Sequence, residues 1–141
     1  MNKTRNLVLV EPPPGAIRAA LAAGCPGLQP VEVPGASLAD YLRRRGPFAF
    51  AGHPLPDLLF VDLGDPPGPM ISVLEGIKAD SAFRRIPVIA FVAPGTASDL
   101  PGWYGMGLNS VIEKPASAEA FAGFLRAACG YWFEHVELAT S

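Results

Sequence analysis

Pro56-Asp57-Leu58-Leu59-Phe60-Val61-Asp62 is an apolar run that ends in a lone carboxylate. Leu58 to Val61 show no alternation of polar and apolar residues, the pattern of a strand whose sheet is covered by helices on both faces. Asp62 then lies at the strand's carboxyl end. Open parallel sheets bind ligands beyond those ends, where the strand order reverses, so Asp62 stands where chemistry is expected.

The rest of the chain supplies companions for that strand. Asn6-Leu7-Val8-Leu9-Val10 is a second apolar run, and it too ends in an acid, Glu11. Pro12-Pro13-Pro14-Gly15 follows; proline suits a loop or a first helical turn, so a helix begins there and runs through Ile17 and Leu21 to about Ala23. Gln29 to Val33, bracketed by prolines, reads as an edge strand. Ser37 is placed to cap a helix carrying Leu38, Tyr41 and Leu42 on one face, with Arg43-Arg44-Arg45 in its last turn, where cations suit the dipole. Gly46 to Pro56 is a surface loop in which His53 is expected to be solvated. A helix with Ile71, Leu74 and Ile77 at helical spacing precedes the strand Ile86 to Val92. A short or distorted helix is expected around Leu100 to Met106, then a brief strand, Ser110-Val111-Ile112, leading to Glu113-Lys114-Pro115. Ser117 caps the last helix, whose apolar face carries Phe121, Phe124, Leu125, Ala128 and Trp132. Five strands alternating with helical patterns predict an α/β three-layer sandwich with a five-stranded parallel sheet.

At 141 residues, half of them apolar, the chain has room for one core and reads as one domain. A net charge of -2 without a basic stripe argues against nucleic acid as a partner. The apolar runs fall short of the ~20 residues that cross a bilayer, and no signal-peptide pattern opens the chain, so no membrane role and a cytoplasmic location are expected. Cys25 and Cys129 lie far apart in sequence, with no C-x-x-C pair and no His at ligand spacing; two reduced, packed thiols are the expectation.

With strand order 2-1-3-4-5, the first and third strands flank the switch point, so Glu11 and Asp62 converge and Lys114 arrives from the fifth strand. Two carboxylates and a lysine suit phosphoryl transfer, in which a carboxylate attacks in line while Mg²⁺ and Lys⁺ balance the oxygens. The same three residues also suit a structural ion-pair network, and spacing alone does not choose between the two. No G-x-x-x-x-G-K-[ST] loop or nucleophile triad points to a hydrolase or nucleotide-binding enzyme, and none is expected.

Val10-Glu11, Pro56 to Asp62, Ile86-Pro87-Val88-Ile89 and Lys114-Pro115 together resemble a response-regulator receiver domain of two-component signalling. Gly76 to Asp80, Arg84 to Pro87, Gly107 to Ser110 and Tyr131 to Leu138 are similar to the stand-alone receivers associated with bacterial phytochrome kinases. The resemblance implies a flavodoxin-like fold, Asp62 as the acceptor of a phosphoryl group from a sensor histidine kinase, and Lys114 as a contact to that group. It also implies Glu11, Asp62 and the backbone of Gly64 as the metal site.

Several positions depart from the pattern. Receivers have two adjacent acids after the first strand, and here Pro12 follows Glu11. Val92 stands where receivers carry a hydroxyl residue, and Val111 where they carry the switch aromatic; Pro69-Met70 replaces an Asp-Gly. Thr96 and Ser98 lie past the strand end, and Asp65 is a candidate stand-in ligand. Mg²⁺ binding is therefore expected to be weak or lost. The reading is a divergent receiver, not an enzyme, that acts through protein contacts with a degraded phosphorylation site. The alternative is a receiver still phosphorylated on Asp62. Tyr131, Trp132, Phe133 and Val136 extend an apolar surface beyond the expected core, so residues 130–141 are predicted to form a homodimer interface.

Overall fold

The apolar runs pair side by side because each lacks a polar face to turn to water, and the product is one parallel sheet of order β2-β1-β3-β4-β5. The computed structural model describes residues 6–13, 15–50, 52–64, 68–94 and 110–130. The strands are β1 (Leu7–Val10), β2 (Val31–Glu32), β3 (Leu58–Asp62), β4 (Val88–Val92) and β5 (Ser110–Glu113). Helices α1 (Ala16–Gly24), α2 (Leu38–Arg43), α3 (Gly68–Ala79) and α4 (Ala118–Gly130) connect or follow them. This is the three-layer, flavodoxin-like architecture that the sequence predicts. β3 is buried along its whole length, whereas β2 is a two-residue exposed edge.

Strand alternation divides the core. Leu7, Leu9, Leu58, Phe60, Ile89 and Phe91 pack under Ile17 and Leu21 of α1 and Phe121 and Leu125 of α4. Val8, Val10, Leu59, Val61, Val88, Ala90, Val92 and Val111 pack under α2, α3 and the turn at Phe83 and Ile86. The aromatic rings of Phe60 and Phe91 meet edge to face at 5.3 Å. Asp57 ties the starts of β1 and β3 together, its Oδ2 accepting the Asn6 N–H at 2.8 Å.

Local details differ from the sequence expectations in four places. α1 begins at Ala16, past the prolines, after Gly15 turns the chain at φ +81°. Ser37 makes no side-chain cap to α2, because a 3₁₀ turn over Gly35–Ser37 carries the chain directly into the helix. His53 is not simply solvated: its ring stacks on Tyr41 at 3.9 Å, and its Nε2 lies 2.8 Å from the Tyr41 carbonyl oxygen. Phe124 is 37% exposed, so the buried face of α4 is narrower than its apolar residues suggest.

The arginine run does serve structure. Arg43 pairs with Asp80 at 3.4 Å and lies over the Phe83 ring, while Arg44, at φ +54°, closes α2 and donates to the His53 carbonyl oxygen at 2.7 Å. Ser117 caps α4 as expected, its Oγ accepting the Ala120 N–H at 3.0 Å. Among the described residues, no helix is long and apolar enough to cross a membrane.

Candidate functional site

Asp62 continues the side-chain alternation of Leu58 and Phe60, so its carboxylate rises on the α1/α4 side of the sheet's carboxyl edge. Lys114 follows the half-buried Ile112 on the same face. Its backbone is fixed from the intervening strand, because the Lys114 N–H donates to the Val92 carbonyl oxygen at 2.9 Å. Two strand spacings, about 10 Å, separate β5 from β3, a gap that a four-carbon side chain can cross. Lys114 Nζ crosses it and donates to Asp62 Oδ2 at 2.7 Å.

The second carboxylate oxygen is also engaged. Gly64, at φ +78°, turns its N–H back to Asp62 Oδ1 at 2.8 Å, an Asx-type turn that a residue with a Cβ would strain. Asp62 is 6% exposed. A carboxylate this deeply buried keeps its charge stable only with such partners, and here it has an ammonium and an amide. Asp62 and Lys114 thus form an ion pair, one of the two roles that spacing leaves open.

Glu11 adopts a different role from the one the resemblance implies. The register that sets Val10 beside Val61 puts Glu11 and Asp62 at adjacent strand tips. The Glu11 carboxylate nevertheless serves α1: Oε2 accepts the Ile17 N–H at 2.9 Å and Oε1 accepts the Arg18 N–H at 2.7 Å. The physical cause is local. A helix leaves its first amides without intrahelical acceptors, and the residue before α1 is Gly15, which has no side chain to offer. Glu11 fills that place, with its charge at the positive end of the dipole. A cleft lined by Glu11, Pro12, Pro13, Gly15, Arg18 and Glu32 opens beside this cap.

Among the described residues, the donor set does not fit a divalent cation. Pro12 has no carboxylate, Glu11 is held by two amides, and the Gly64 N–H faces the Asp62 oxygen where a metal would seek one. Among the described residues, no group of three or more His, Cys, Asp or Glu side chains could hold a metal ion. Val92 and Val111 are buried in the cluster beneath α2 and α3, where their methyl groups offer no hydrogen bond. Asp65, Thr96, Ser98 and the expected helix around Leu100 to Met106 lie outside the described residues, as do Tyr131, Trp132, Phe133 and Val136.

No protein-family model and no curated protein matches the sequence. Solved structures do. The phosphorylated cyanobacterial phytochrome response regulator RcpA superposes with a TM-score of 0.82 and 28% identity, over 98% of this chain and 100% of that one. The response regulator RPA3017 of red-light signalling in R. palustris gives 0.80 and 24%, over 96% and 99%. A response regulator solved in its Mn²⁺-bound form gives 0.81 and 20%, over 97% and 100%.

Proposed function

Starting from a chain with the fold of a response-regulator receiver domain, we propose that this protein is a divergent receiver whose Asp62 is a poor phosphoacceptor and which signals through protein contacts. The reading rests on Glu11. Phosphoryl transfer to a carboxylate is mostly positioning and neutralisation of charge on the transferred oxygens. Mg²⁺ needs closely placed oxygen ligands because it dehydrates reluctantly. Here the first acid is held by the α1 amides and the second acid is replaced by Pro12. Lys114 supplies one positive charge, and Val92 supplies no hydrogen bond to a phosphoryl group.

A second reading, that Asp62 still accepts a phosphoryl group from a sensor histidine kinase, is favoured by the Lys114 contact at 2.7 Å, which places the ammonium at the oxygen that would carry the group. The likeness to phytochrome response regulators supports a phytochrome-like kinase as the partner under either reading. Homodimerisation through residues 130–141, with Tyr131, Trp132, Phe133 and Val136 at the contact, belongs to the same proposal, supported by their density of aromatic side chains and by the exposed Phe124 on the helix that leads there. Light scattering of the wild type against Trp132→Ala tests it: a dimer lost in the variant is expected, and a wild-type monomer at micromolar concentration contradicts it.

The phosphoacceptor question is tested by intact mass after treatment with acetyl phosphate and Mg²⁺. The wild type is expected to stay unmodified for the most part. Stoichiometric addition of one phosphoryl group, abolished by Asp62→Asn, would establish the second reading instead.

A further inference from the structure

Cys25 closes α1 and Cys129 lies in the last turn of α4, and the packing of these helices brings the two thiols together from opposite ends of the chain. The approach is close because Gly24 has no side chain; a Cβ there would lie 2.3 Å from the Ala122 carbonyl oxygen. One residue on, Cys25 Sγ lies 3.4 Å from the Leu125 carbonyl oxygen and donates to it. Cys129 follows Leu125 by one helical turn, on the same face. Cys25 packs against the same buried cluster to which Cys129 belongs, which makes the two side chains neighbours. Both thiols are free, Cys129 buried and Cys25 half-buried.

We propose that Cys25 and Cys129 form a dithiol site that a hydroperoxide oxidises to an intramolecular disulfide, stapling α1 to α4. The more exposed Cys25 reacts first. Its thiolate attacks one oxygen of hydrogen peroxide, the O–O bond breaks, and Cys25 becomes a sulfenic acid while the other oxygen leaves as hydroxide and takes up the thiol's proton as water. The Cys129 sulfur then attacks the Cys25 sulfur, the S–O bond breaks, and the departing oxygen takes the Cys129 proton and leaves as a second water. Two thiols lose two electrons, and the peroxide bond gains them. Burial pushes the Cys129 thiol well above its ordinary 9.0, so the second step is slow at neutral pH and accelerates as pH rises.

The site is independent of Asp62 and of any metal, so its test does not depend on the phosphoacceptor question. The full chain is treated with hydrogen peroxide, quenched with catalase, alkylated and mapped without reductant. The expected product is lighter by two hydrogen atoms, contains a peptide linking Cys25 to Cys129, and reverts with dithiothreitol. Closing so long a loop should raise Tm by about 6–12 °C. Cys25→Ser, at the half-buried position where folding is least at risk, should give neither the cross-link nor the shift, and in the wild type a dimedone adduct on Cys25 should precede the disulfide. The proposal is overturned if the folded wild type yields no linked peptide, yields only sulfinic acids or disulfides between molecules, or forms the link only after denaturation.

Discussion

Lys114→Met removes the ammonium from Asp62 and leaves a carboxylate with 7% side-chain exposure that, among the described residues, keeps one hydrogen bond, from Gly64. Breaking a fully buried ion pair from one side costs about 3–5 kcal/mol. Lys114 is 21% exposed, so water relieves part of that cost and about 2–3 kcal/mol is expected. In urea the midpoint should fall with an unchanged slope, and Tm should drop by about 6–10 °C. Asp62→Asn should cost less, about 1 kcal/mol, because the freed ammonium can reach solvent. The double variant should be close to Asp62→Asn alone, giving a coupling of about 2 kcal/mol. A Lys114→Met cost below about 0.5 kcal/mol, or strictly additive single costs, would refute the view that this pair anchors the pocket.

Glu11→Ala should lower stability by about 1 kcal/mol and speed hydrogen exchange at the Ile17 and Arg18 amides, read by NMR; unchanged exchange there would contradict the capping role. His53 Nε2 faces a carbonyl, so this nitrogen carries the proton, and buried Nδ1 has no partner among the described residues; ¹⁵N shifts should report that tautomer, and His53→Ala should cost about 1–2 kcal/mol through the lost stack and hydrogen bond. Burial holds the Tyr41 phenol above its ordinary 10.0, so above that pH the unfolded chain sheds the proton first and stability falls; absorbance titration should show Tyr41 ionising later than a free tyrosine. Burial holds Lys78 below 10.5, so just under that pH the unfolded chain binds more protons and stability rises with pH, a slope that Lys78→Met should flatten in urea titrations.

Much of this fold is readable in the sequence because the strands are buried on both faces: β1, β3 and β4 appear as unbroken apolar runs, and Glu11 after β1, Asp62 at the end of β3 and Lys114 after β5 mark the working edge. The convergence of Asp62 and Lys114 follows from topology, since β5 and β3 flank β4 and a lysine side chain spans that gap; their pairing in the resting protein is what the structure adds. Glu11 is harder to read. A carboxylate at a strand tip can serve a metal or the next helix, and the telling signal is Gly15, an N-cap without a side chain, which obliges α1 to find its acceptor elsewhere. His53 and Tyr41 are joined by a loop whose course no periodicity encodes, so their stacking is invisible in the sequence. Cys25 and Cys129 likewise meet through the packing of α1 on α4, which spacing arithmetic does not reach.

The account turns on the missing carboxylate, and a Mn²⁺ titration followed by electron paramagnetic resonance measures it most directly. Pro12→Asp restores the acid while keeping the backbone carbonyl that accepts the Gly15 N–H at 3.2 Å. The wild type is predicted to lack a saturable stoichiometric site, and Pro12→Asp to bind at least about tenfold more tightly, a difference of about 1.4 kcal/mol. A stoichiometric wild-type site that is lost in Asp62→Asn and unaffected by Pro12→Asp would contradict the account.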